Sequence, residues 1–175
     1  MDFNLNNKHT ESLLVSFLGN KNQEKYLNYF RALSFYRLKV SWHWPAFFFT
    51  AFWLMYRRMW FGAVLYLITP FVFGFIALAA RGSSGEVVAS IITALGTAIY
   101  YISPPLIANY LYYLKFENEA SKAQELFPEN KENQINYLRD TGGTTSLLTM
   151  VFVAVPLYFG LNLLMIFILK NMIRV

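Results

Sequence analysis

His9 and His43 are the only histidines of the chain, and there is no cysteine. A zinc or haem site needs more ligands than this pair supplies. A general base needs a partner that orients it, and His43 lies between Trp42 and Trp44 with no acid beside it. There is no G-x-S-x-G elbow, no phosphate-cradling loop and no acidic pair inside an apolar run. These residue types predict no catalytic residue, no metal and no cofactor, hence a protein that is not an enzyme.

Milder polarity sits within the apolar runs. Tyr101, Pro104, Pro105 and Asn109 cluster in "YISPPLIANY", where the two prolines interrupt the run from Val87 to Leu114. Prolines free backbone carbonyls that neighbouring helices or water must satisfy. Two readings follow. The helix over 87–114 is broken and lines a path for a small solute, or it is kinked and Asn109 ties it to another helix.

The elements that position these residues are read from apolar length. Hydrophobic residues make up 56% of the 175-residue chain and charged ones 14%, against about 25% charged in ordinary globular domains. The runs Met59 to Ala80, Val87 to Leu114 and Thr145 to Leu169 each exceed the ~20 residues that a crossing helix needs. The fold class expected is an all-α integral membrane protein with three transmembrane helices, a short interfacial aromatic helix and cytoplasmic amphipathic helices. Three segments follow: a cytoplasmic helical part at 1–40, the aromatic helix at 41–58, and a three-span membrane domain at 59–175 with a cytoplasmic loop at 115–143.

Orientation comes from the basic residues. Twelve of the fifteen lie before the first run or between the second and third, while Arg81, Lys170 and Arg174 lie on the other side. That places the N-terminus in the cytoplasm and the C-terminus outside. The start, "MDFNLNNKHTES", has no basic region leading into an apolar one, so no cleavable signal is expected. A formal charge of +5 spread between apolar runs favours an anionic membrane surface over nucleic acid.

The stretch "SWHWPAFFFTAFWLMYRRMW" (41–60) holds all four tryptophans. Its apolar run is too short to cross, and burying Arg57 and Arg58 mid-bilayer would cost roughly 2.5–3.5 kcal/mol each. Residues 44–56 are therefore expected as a helix at the cytoplasmic interface. Trp42, His43, Trp44, Trp53 and Trp60 would anchor it, with Arg57 and Arg58 on anionic headgroups. Before it, residues 11–37 read as helix with a break at "GNKN", capped by Thr10. Tyr26, Tyr29, Phe30, Leu33 and Tyr36 form one apolar stripe. After the second span, 115–143 reads as two short helices, the first carrying Ala120, Ala123, Leu126 and Phe127. The second starts at Pro128 and is stopped by Gly142 and Gly143.

The chain resembles a bacterial membrane family of unknown function (domain of unknown function 2628). Phe17, Gly19 and Asn20, then Tyr26 and Leu27, carry its entry. The aromatic block follows as Ser41, Trp44, Ala46, Phe47, Phe48, Phe49, Trp53, Tyr56, Arg57 and Met59. The runs Ala108 to Tyr113 and Gly142 to Thr145 extend the likeness over about 17–147. His43 stands where the family usually has Asn, and Pro45 where it has a small residue. The resemblance implies a small multi-span inner-membrane protein and supplies no activity. The expected function is therefore a non-enzymatic accessory, assembly or lipid-interacting role. Its partners would be membrane lipids, a membrane protein or a second copy. The alternative is a small oligomeric channel or transporter along 87–114.

Overall fold

The computed structural model describes residues 7–36 and 41–173. Arg37, Lys39 and Arg174, three of the charges used for orientation, lie outside them, and the stripe's Tyr36 side chain is also undescribed. The described residues form seven helices and no strand: α1 Lys8–Leu18, α2 Gln23–Tyr36, α3 Trp44–Tyr56, α4 Trp60–Ser84, α5 Glu86–Leu126, α6 Lys131–Thr141 and α7 Leu147–Ile173. Of these, α4, α5 and α7 are long and apolar enough to cross a membrane.

The first helix starts one turn earlier than expected. Asn7, rather than Thr10, caps it, its side chain accepting from the His9 N–H at 2.9 Å. Thr10 sits inside the helix and is buried. Leu13, Leu14, Phe17 and Leu18 of α1 and Tyr26, Phe30 and Leu33 of α2 form buried faces. Both faces close on the same part of α5: Phe17 packs against Tyr112 at 5.3 Å and Phe116 at 5.5 Å, and Phe30 against Tyr113 at 5.1 Å.

Helix α5 is the axis of the molecule, and it corrects two expectations. It passes through Ser103, Pro104 and Pro105 without a break. The prolines cannot donate to the Tyr100 and Tyr101 carbonyls, yet both are buried, and the adjoining Pro105 carbonyl accepts from the His43 N–H at 2.9 Å. Packing by the start of α3 covers the defect, and the helix is continuous across it. The helix also runs on past Lys115 to Leu126, so the first of the two expected loop helices is its continuation. The second begins at Lys131 under an Asn130 cap rather than at Pro128.

At 41 residues α5 is roughly 62 Å long, twice the ~30 Å hydrocarbon core. Its surface changes character on the way. Val87, Ile91, Leu95, Ile99, Ile102 and Ile107 are exposed, whereas Ala108, Tyr112, Tyr113, Phe116, Ala120 and Ala123 are buried. The first half pairs with α4, where Tyr66 stacks on Tyr100 at 4.2 Å. A Cβ on Gly96 would come within 2.7 Å of the Phe73 ring, so only glycine permits this approach. The second half lies under α1, α2 and α6.

Candidate functional site

The junction between these halves is built by α3. The helix begins at His43, whose extended backbone (φ −118°, ψ 92°) and Nδ1 accept the role of N-cap: Nδ1 receives the Ala46 N–H at 3.1 Å. An accepting Nδ1 leaves the proton on Nε2, which donates to the Tyr26 hydroxyl at 3.3 Å. The imidazole is therefore neutral. Burial, followed by the positive charges of Lys25 and Arg57, holds it down to about 4.

The other end of α3 closes in a Schellman turn. The Arg58 N–H bonds to Met55 O at 2.9 Å and the Met59 N–H to Leu54 O at 2.8 Å. Arg58 takes the left-handed position (φ 56°) usually filled by glycine. Lys115 of α5 braces this turn, donating to the carbonyls of Arg57 at 3.0 Å, Arg58 at 3.2 Å and Thr141 at 3.2 Å. With His43 on Pro105 and the turn on Lys115, α3 runs alongside α5 in the same sense. Ten residues of α5 rise about 15 Å, against about 20 Å for thirteen helical residues, and α3 is kinked at Phe49 (φ −138°, ψ 47°). The chain then reverses into α4.

That reversal turns Arg57 inward. It is 1% exposed, although sequence patterning assigned it to headgroups. Its guanidinium lies 4.5 Å from the Tyr26 ring, 4.9 Å from Tyr112 and 5.6 Å from Tyr56. It donates to the Tyr112 hydroxyl at 3.3 Å and to the Lys21 carbonyl at 3.2 Å, while Nε has no partner. No carboxylate pairs with it among the described residues. Aromatic faces and carbonyl dipoles stand in for a counter-ion. The weak hydration of a guanidinium makes this burial tolerable.

The remaining sequence-selected residues fall into two groups. Trp53 is buried and lies 4.8 Å from the His43 ring. Trp42 and Trp44 are exposed, 5.6 Å apart, and continue into exposed Phe48 and Phe52. Trp60 is half-buried at the start of α4, and Arg58 reaches the Asp140 carbonyl. Tyr101 is 54% exposed, at the edge of a cleft shared with Pro70, Phe73 and Gly74 of α4. Asn109 is 4% exposed and donates to the Ser41 hydroxyl at 2.8 Å. His9 binds Gln134 Oε1 at 2.8 Å, which links α1 to α6. Among the described residues, no three His, Asp or Glu side chains come together to hold a metal.

The family model for protein of unknown function (DUF2628) matches residues 12–118. This chain belongs to that family. No curated protein and no solved structure matches it. The DUF2628 match runs from α1 into the last quarter of α5, so it encloses Arg57, both nearest tyrosines, His43, Asn109 and Lys115.

Sequence reasoning missed the tyrosine enclosure and the Lys115 brace. One signal for the first was present: Tyr26 belonged to the apolar stripe of α2, and a tyrosine in a core needs a polar partner. The Gly142 pair was read only as a helix stop. It is also a close approach, since a Cβ on Gly142 would clash with the Phe17 carbonyl and lie 2.7 Å from Leu138 O.

Proposed function

We propose that this family member is a non-enzymatic protein of the bacterial inner membrane that acts through contacts, as an accessory or assembly subunit or a lipid-interacting scaffold. The observation that carries this reading is the division of α5. One rod has an exposed apolar half, then a half clasped by α1, α2 and α6, with Arg57 sealing the joint. Such a part can hold a helical module rigidly at a membrane; it offers no orienting partner for a nucleophile or base. In the apolar windows of α4 and α5 only 11% of residues are buried within the chain, and in α7 6%. Those faces are open to lipid, to a membrane protein or to a second copy. The module and the N-terminus would be cytoplasmic and the end of α7 outside, by the charge asymmetry. Trp42, Trp44 and Phe48 would seat α3 at the cytoplasmic interface.

The test uses full-length protein in liposomes and in cell membranes. Reconstituted protein should pass no ions or small solutes and turn over no ester, phosphate or acyl substrate. A photo-reactive residue at Phe152, 76% exposed on α7, should give one discrete protein adduct in cell membranes. Solute flux blocked by thiol modification of a cysteine at Tyr101, or turnover by the purified chain, would overturn the proposal.

A further inference from the structure

A cleft of about 310 Å³ opens where α2 passes the start of α3 and the middle of α5. Its walls include Lys25, Asn28 and Tyr29 of α2, Ser41 and Trp42 before α3, and Asn109 of α5. At ~30 Å³ per water it holds roughly ten water molecules. That suits a phosphate ester with a small polyol and is far too narrow for a helix of about 10 Å diameter.

Three observations describe the occupant. The first is charge: Lys25 is exposed at the mouth, none of the lining residues is acidic, and Lys25 and Arg57 together oppose a proton on His43. The field there favours an anion. The second is an unmade hydrogen bond. Asn109 is 4% exposed, its amide nitrogen donates to Ser41, and its Oδ1 has no partner. Buried amide atoms are nearly always paired. A headgroup hydroxyl would pair with Oδ1 or, with the amide turned over, a phosphate oxygen with the nitrogen. The third is position: the cleft lies where the exposed apolar half of α5 ends at Ile107, beside exposed Trp42 and Trp44. Indoles at such a level mark a membrane interface.

We infer that this cleft is a headgroup site for an anionic phospholipid. Lys25 takes the phosphodiester and Asn109 a headgroup hydroxyl. Ser41, bonded to Asn109 and Tyr29, holds Asn109 in place, and the acyl chains run past Trp42. The inference rests on the membrane reading above and moves headgroup recognition from the buried Arg57 to Lys25.

The experiment is native mass spectrometry of full-length protein in mild detergent, titrated with phosphatidylglycerol or phosphatidylcholine. Wild type should retain the glycerol lipid several-fold better. Lys25→Gln should cut that retention by about fivefold with thermal unfolding unchanged. Ser41→Ala should cut it too, with a lower Tm because the buried Asn109 amide loses its acceptor. Lys122→Gln, an equal loss of charge remote on α5, should leave it as it was. Equal retention of both lipids, or full retention in Lys25→Gln, would overturn the site. So would displacement of the lipid by inorganic phosphate or glycerol phosphate alone, which would make it a site for a soluble ester. None of those results touches the flux and turnover tests of the contact reading, and turnover would refute that reading without altering lipid retention.

Discussion

Replacing Arg57 separates what its charge does from what its volume does. Arg57→Ala removes two close ring contacts, at 4.5 and 4.9 Å, and two long hydrogen bonds. Desolvated cation–π contacts are worth about 1–2 kcal/mol each, and emptying a filled core position costs about 2–5 kcal/mol. Against this stands the desolvation of a cation without a carboxylate, several kcal/mol that the substitution removes. The net expectation is a loss of about 2–4 kcal/mol. At about 2–4 °C per kcal/mol for a chain of this size, Tm should fall by roughly 4–16 °C. Arg57→Met refills the space and discards the charge, so it should lie within about 1 kcal/mol of wild type. Arg57→Lys keeps the charge but loses the planar stack, and should fall between Met and Ala. The assay is thermal unfolding of full-length protein in one detergent at one pH. An alanine variant as stable as wild type, or a methionine variant as damaged as alanine, would refute the reasoning.

Two other perturbations have signs set by the structure. His43 stays neutral in the fold down to about 4, below the 6.5 of a free imidazole, while the unfolded chain takes up a proton from 6.5 downward. Stability should therefore fall by roughly 2 kcal/mol as pH drops from 6.5 to 4; His43→Asn, which caps without titrating, should flatten that segment of a stability–pH curve, and an unchanged slope would count against the neutral cap. Gly142→Ala should cost about 3 kcal/mol or more, because its Cβ meets backbone of Phe17 and Leu138. Gly143→Ala has φ 70° but open space around it, and should cost only about 1 kcal/mol; equal effects in thermal melts would contradict the close approach.

The bounds of α3 were legible because Pro45 favours a first turn and the arginine pair ends an apolar run; the helical span 44–56 is where it was expected, but its kink at Phe49 was not foreseen. The three long apolar helices, the break after Leu18 and the stop at Gly142 were legible for similar local reasons. Two features were not. Hydropathy weighs Arg57 and Arg58 alike, and only the left-handed turn at Arg58 sends one inward to tyrosines of α2 and α5 and the other to Asp140. The rule that proline breaks a helix, applied to Pro104 and Pro105, took no account of α3, whose packing covers the defect. Both failures concern contacts between segments far apart in sequence, which periodicity does not encode.

The central claim is that α3 packs alongside α5 without crossing, so that one membrane passage separates the helical module from the α4–α5 tip. The chain has no cysteine, so single cysteines at exposed Lys21, Glu129 and Ser84 can be labelled in intact cells without background. Lys21 and Glu129 should react only from the cytoplasmic side and Ser84 only from outside. Labelling of Lys21 and Ser84 from the same side would mean that α3 crosses as well, and would contradict the account.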